Sequence, residues 1–468
     1  MSPRPRYLPR PRWLALVLPL CAVLLCTGAL WQAPELVDPM SRVRALPTGE
    51  AGRPPKGPGT NLLVVGTDTR EGLSRETKER LKVGGKECHC TDVMMLVHLS
   101  ADRRRMSVVS IPRDSYVPFA RHRDGGPKGR MTSHSGKINA AYDHGGPALT
   151  VATVEKATHV RVDHYLETDF TRFVDAVDDL GGATMCTDRP LRDENSGLDL
   201  ATGTHRLDGP GALSWVRARH VSPPGDLGRV RRQQKLVVQM MGTLAQRKVF
   251  QDPAALARTA KIVSDHVTVD SELDLAGLVR LGRSLRKLDL DRSEFATVPI
   301  AEFDYRAPQW GSSLLWDKKR AATLFTDLRK DLPLTDNPVT QPGPGTPVEM
   351  APAEVSVRVR PGPDAGKLAD RLRAEGFQVT RGAGKAPASP PRHPVITYAP
   401  AYERQAQVLA AALPQARLRA EPGHGPRPQV TPGTQRTRVS RLVVDRSSVE
   451  GAPITGDRLR CPRHDDRD

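Results

Sequence analysis

TDVMMLVHLSADRRRMSVVSIPRDSYV, residues 91–117, decides the fold class. Two apolar runs, DVMMLVHLS (92–100) and RMSVVSIP (105–112), are joined only by ADRRR, a charged stretch suited to a tight connection between strands. Neither run alternates cleanly with polar residues, which marks strands covered on both faces. Upstream, NLLVVG (61–66) is a third such run. Downstream, residues 146–158 and 169–180 read as helices, the second through Phe170, Phe173, Val174, Val177 and Leu180 at helical spacing. Another helix is expected from Leu227 to Val249, with Asp226 near its N-cap. Strands alternating with helices predict a layered α/β/α domain over residues 61–332.

The chain around this block is long, basic and segmented. It has 468 residues, 38% of them apolar, and a formal net charge of +17. Residues 13–31, WLALVLPLCAVLLCTGALW, form an uncharged apolar run long enough to cross a bilayer as a helix. Arg4, Arg6, Arg10 and Arg12 precede it, whereas Glu35 and Asp38 follow. That asymmetry predicts a retained signal-anchor, with residues 1–12 cytoplasmic and the remainder outside the cell membrane. The excess of positive charge then points to lipid headgroups, phosphate-bearing polymers and cell wall. Nucleic acid is disfavoured, because no zinc-ligand spacing, basic zipper or helix-turn-helix accompanies the charge.

Composition sets the remaining boundaries. Residues 32–60 read as a linker, Pro- and Gly-rich from 47 onward, and residues 333–352 as a second. Beyond them EVSVRV, AGKLADRLRAEG, FQVT, VITY and RLVVD outline a small α/β domain at 353–446, and the tail at 447–468 reads as disordered. Outside the apolar run the cysteines are Cys88, Cys90, Cys186 and Cys461. Cys88 and Cys90 are too close to pair comfortably, so a bridge from one of them to Cys186 is expected.

The chemistry-bearing residues gather near strand ends. Asp68 follows NLLVVG and Asp92 opens the next strand, and in open α/β sheets ligands collect at such ends. Two carboxylates there suit a hard divalent cation shared with substrate phosphates. Arg113 leaves the sheet just after a proline, and Lys137 sits in KINAAYDHGGP before a helix. The stretch SWVRARHVSPPGDLGRVRRQQ (214–234) then crowds Arg217, Arg219, Arg229, Arg231 and Arg232 around one acid, Asp226. Arg229 and Gln233 share a helical face, and Arg231 alone reads as basic surface. So many like charges repel unless an anion offsets them, and guanidinium forks match phosphate oxygens in pairs. The expected ligand is phosphate, and more than one.

In this order, NLLVVGTDTR, TDVMMLVHLSADRRRMSVVSIPRDSYV, KINAAYDHGGP, LDGPGALSWVRARH and GDLGRVRRQQ resemble the LytR-CpsA-Psr family of extracellular cell-wall enzymes. Residues 353–446 are similar to the small C-terminal domain that some actinobacterial members carry. The resemblance implies a phosphotransferase that moves a polyprenyl-pyrophosphate-linked glycopolymer (teichoic acid, capsule or arabinogalactan) onto peptidoglycan with Mg2+. By motif, Asp68 and Asp92 would hold the metal. Arg113, Arg217, Arg219 and Arg229 would grip the pyrophosphate, Asp226 would orient the arginines, and Lys137, Arg232 and Gln233 would contact substrate.

Two other functions share these residues, a pyrophosphatase using water as acceptor and a non-catalytic module binding anionic wall polymer or lipid; a third, a transcriptional regulator, is suggested by the family's historical name and by no residue here. Phe170, Phe173, Val174 and Val177 either line a groove for the lipid or pack the core.

Overall fold

The computed structural model describes residues 40–461 except 48, 50–51, 71–72, 85–87, 125–128, 222–224, 338–345, 349, 351, 436 and 445–452. The apolar run at 13–31 and the tail at 1–12 lie outside the described residues, as does the side chain of Asp226. Among the described residues no helix is long and apolar enough to cross a membrane.

The central element is an eight-stranded mixed sheet. Its strands are β1 (Arg42–Val43), β2 (Thr60–Thr67), β3 (Thr91–Leu99), β4 (Met106–Ser110), β5 (His164–Thr168), β6 (Thr268–Asp270), β7 (Glu294–Thr297) and β8 (Ile454–Thr455). They lie in the order β1-β6-β5-β2-β3-β4-β7-β8. β2, β3 and β4 pair antiparallel, whereas β2–β5 and β4–β7 pair parallel. The parallel neighbours are reached through helical crossovers, which cover both faces.

The helices are α1 (Arg75–Arg80), α2 (Ala140–Thr158), α3 (Phe170–Asp179), α4 (Gly209–Arg217), α5 (Gly225–Gln246), α6 (Pro253–His266), α7 (Leu275–Ser284) and α8 (Lys318–Arg329). Leu63, Val65, Leu96 and Val109 face one side and pack with Leu149, Val151 and Val154 of α2 and Leu324, Phe325 and Leu328 of α8. Leu62, Val64, Met95 and Val108 face the other and meet Val237, Val238 and Met241 of α5. Each central strand thus buries both faces, and this explains why its sequence lacks alternation. α3 and α4 start on Asp169 and Asp208, whose side chains accept from the N–H groups of Arg172 and Gly211. Such caps each stabilise a helix by about 1 kcal/mol.

The C-terminal unit is a separate five-stranded sheet with α9 (Ala365–Ala374) and α10 (Glu403–Ala412) packed over Val357, Val359, Ile396 and Val430. Its strands Arg417–Ala420 and Gln429–Thr431 flank and enter the Pro- and Gly-rich stretch that interrupts the sequence pattern.

Four expectations need correction. Part of the first linker is docked: β1 pairs with β6, and Arg53 forms a buried ion pair with Glu155 at 2.7 Å. Thr346–Val348, inside the second linker, pairs parallel with Leu442–Val444. The tail is ordered over residues 453–461, where β8 pairs with β7 and buries Ile454 and Leu459. The cysteines pair as Cys88–Cys90 and Cys186–Cys461, not Cys88 or Cys90 with Cys186. Cys461 is drawn to Cys186 by the tail strand, a long-range contact that spacing along the chain does not encode.

Candidate active site

The ends of β2 and β3 bring Asp68 and Asp92 together. Asp68 is buried, and Arg70 binds it with a fork, Nε to Oδ1 at 2.6 Å and Nη2 to Oδ2 at 2.7 Å. Burial, and to a lesser degree the neighbouring Asp92 carboxylate, raise the Asp68 pKa despite Arg70. Asp92 behaves oppositely. Burial disfavours its charge, but the guanidiniums of Arg229 and Arg113 outweigh that and hold its pKa below the usual carboxylate range.

Arg113 donates from Nη1 to Asp92 Oδ1 at 2.6 Å, and its Nε lies 3.5 Å from Asp114. Asp114 also binds Lys137 Nζ at 3.0 Å, so Lys137 joins the site through Asp114. Arg229, on the first turns of α5, lies 3.9 Å from the second Asp92 oxygen. At the end of α4, Arg217 donates to the carbonyls of Leu81 and Lys82, both at 3.0 Å, and lies 5.3 Å from the Phe170 ring centroid. Those carbonyls follow α1, so Arg217 meets the negative end of that helix. Its pKa is lowered by burial and by nearby Arg70. Arg219 lies close enough to lower the Asp92 pKa. Its backbone N–H donates to Asp193 at 2.6 Å, and that of His220 does so at 3.0 Å.

Arg232 stands apart from this group. It is buried, its guanidinium donates to the Ala218 carbonyl, and burial lowers its pKa to about 10. It holds the turn between α4 and α5 and does not line the cavity described next. Arg70 and Asp193 are absent from the residues selected by sequence. TDTR carries Arg70 only two positions after Asp68, the one local signal available; nothing local marks Asp193.

Beside the charged cluster, a cavity of about 790 Å³, including its open mouth, runs between the sheet and α3, α4 and α5. Its wall is mostly apolar, with Val64, Met95, Phe170, Phe173, Leu213 and Val237 among the lining side chains. Asp92, Arg217, Arg229 and Gln233 also line it. Val174 and Val177, from the same helical stripe, are buried in the core instead. The stripe therefore divides between packing and cavity wall.

An apolar cavity adjoining a cluster of arginines and aspartates at strand ends defines an α/β protein with a site for an amphiphilic anion. Residues 50–330 match the LytR_cpsA_psr family, and residues 354–440 match the LytR cell envelope-related transcriptional attenuator domain. The probable cell wall biosynthesis protein LcpB of Corynebacterium glutamicum is 35% identical over 318 residues, covering 67% of this chain and 70% of that protein. The polyisoprenyl-teichoic acid–peptidoglycan teichoic acid transferase TagU of Bacillus cereus is 30% identical over 244 residues, 52% of this chain and 71% of TagU. Among solved structures, B. subtilis TagV aligns at 22% identity and a TM-score of 0.45, covering 59% of this chain and 98% of that one. The LytR-Csp2A-Psr enzyme from Actinomyces oris aligns at 22% identity and 0.44, covering 62% and 95%. This chain belongs to the LytR-CpsA-Psr family.

Proposed function

We propose that this protein transfers a phosphoglycan from a polyprenyl-pyrophosphate carrier to a peptidoglycan hydroxyl during cell-wall biogenesis. The observation that carries this reading is the continuity of the apolar cavity with Arg217, Arg229 and Asp92. A polyprenyl diphosphate has that same division, a long apolar tail ending in two phosphates. Phe170, Phe173 and Val64 would take the tail, while Arg113, Arg217, Arg219 and Arg229 would bind phosphate oxygens.

The acceptor hydroxyl attacks the glycan-bearing phosphorus. A new O–P bond forms, the bridging O–P bond of the diphosphate breaks, and lipid phosphate leaves. Charge neutralisation by fixed guanidiniums is what such a displacement chiefly needs. The hydroxyl proton passes to solvent or to the departing lipid phosphate, because the Arg70 fork engages both Asp68 oxygens. The Arg113 and Arg229 charges hold Asp92 ionised and make it a weak base.

The acid pair also fits Mg2+. A carboxylate offers about four lone-pair positions, and the Arg70 fork uses two of those on Asp68. The rest, with Asp92, make a partial oxygen set that substrate phosphates and water complete. When bound, the cation would add positive charge at the diphosphate. We place the protein at the outer face of the cell membrane, tethered by residues 13–31, where both substrates are found.

The test is incubation of the purified protein with labelled lipid-linked glycan, Mg2+ and peptidoglycan. Glycan phosphate joined to peptidoglycan supports the assignment. Release of free glycan phosphate alone identifies a hydrolase, and no turnover identifies a binding module.

A further inference from the structure

Three histidines outside the site just described converge from separate segments. His122 opens the strand His122–Asp124, His134 precedes the strand Ser135–Lys137, and His144 lies in α2 just before its kink at Gly145 and Gly146. One ring nitrogen from each can be chosen so that all three lie within 4.8 Å of one another. The ring centroids are separated by 5.3 Å (His122–His134), 5.8 Å (His122–His144) and 5.2 Å (His134–His144). With Zn–N bonds of about 2.0–2.1 Å, tetrahedral imidazoles have centroids about 5.2 Å apart. The ring centroids match that spacing, and the chosen nitrogens, now within 4.8 Å of one another, would close to about 3.3 Å around an ion.

A second observation comes from His122, only 8% exposed. Its Nδ1 lies 2.9 Å from the Ala120 carbonyl. A carbonyl only accepts, so Nδ1 carries the proton, and a neutral ring then offers a lone pair at Nε2. That Nε2 is buried and has no hydrogen-bond partner. An N–H-to-carbonyl bond on one nitrogen with a free lone pair on the other is how protein scaffolds orient a metal-binding imidazole. Phe119, 4.9 Å from the His134 ring, and Trp310, 6.3 Å from that of His144, wall the cluster with apolar surface.

We propose that His122, His134 and His144 form a binding site for a zinc-class divalent ion, sharing no residue with the Asp68/Asp92 pair. Imidazole ligands select Zn2+ and its transition-metal neighbours over Mg2+, which takes oxygen. The ion would tie α2 to the segment entering Ser135–Lys137. Lys137 lies three residues beyond His134 and pairs with Asp114, so the metal would brace one flank of the anion site.

The experiment uses the full chain, purified without a polyhistidine tag and stripped of metal. Zn2+ titration by calorimetry should give about one tight site per chain, and Co2+ should give the visible absorption of a tetrahedral complex. Zn2+ should also raise the Tm. His144→Gln, at a half-buried ring, should lose all three signals while keeping its circular dichroism; His122→Ala should lose them too. Asp92→Asn should keep them, which separates this site from the carboxylate pair. Absence of stoichiometric binding in the wild type, or its retention in His144→Gln, overturns the proposal.

Discussion

Arg113 Nη1 sits 2.6 Å from Asp92 Oδ1, while Arg229 approaches the other oxygen of the same carboxylate at 3.9 Å. One acid thus aligns two guanidiniums, one from the turn after β4 and one from α5. Arg113→Ala loosens Asp92 and would remove the proposed phosphate contact, and the transfer rate should fall about 10²–10³-fold. Arg113→Lys should recover only part of that, because an ammonium lacks the paired donors of a guanidinium. Single-turnover kinetics with labelled donor would check both.

Arg217 combines two duties. Its head donates to the carbonyls of Leu81 and Lys82, so Arg217→Ala should lower the Tm slightly as well as reduce transfer about 10²–10³-fold. A large stability loss with activity per folded molecule preserved would instead define Arg217 as a structural clamp.

Phe173 lines the cavity and is only partly buried, unlike Val177 in the core. Phe173→Glu should therefore weaken donor binding, raising KM for the polyprenyl substrate at least about tenfold while the Tm changes little. Short, water-soluble donors should be less affected. Equal sensitivity for long and short donors would place the lipid elsewhere.

Asp193 organises the turn that presents Arg219. Burial opposes its charge, but the N–H groups of His220 and Arg219 hold its pKa at about 2. A pKa depressed on folding contributes stability that is complete above the ordinary aspartate value and lost as pH falls through about 2. The contribution at neutral pH is about 2 kcal/mol. Asp193→Asn should lower the Tm at pH 7, and the difference from wild type should shrink between about pH 4 and pH 2. Acid titration followed by circular dichroism measures it.

Sequence and structure agree where periodicity reports local burial. β2, β3 and β4 were legible as apolar runs because each strand is covered on both faces, and Phe170, Val174 and Val177 were legible as one face of α3. Arg217, Arg219 and Arg229 stand out because so many close cations require an anion, and Arg113 because it leaves the sheet just after a proline. Arg232 passed the same test, yet it turns inward to Ala218, since charge density along a chain does not say which side chain faces the ligand. β8 escaped because two residues carry no period, and its partner β7 lies far away in sequence. Arg70 was hidden as the residue two places from an acid already assigned a different partner.

The pairing of β8 with β7 and the Cys186–Cys461 bond give the C-terminal unit an unusual status. The polypeptide leaves the main body after α8, builds the second sheet, and is then stitched back, so that unit is an insert fastened at both ends and not a pendant at the chain's end. Its two connections to the main body run to α8 on one side and to the edge strand β8 on the other, so its travel is limited by two short tethers. Cys461→Ser would leave β8 as the noncovalent fastening of the second tether, held by the pairing of two residues.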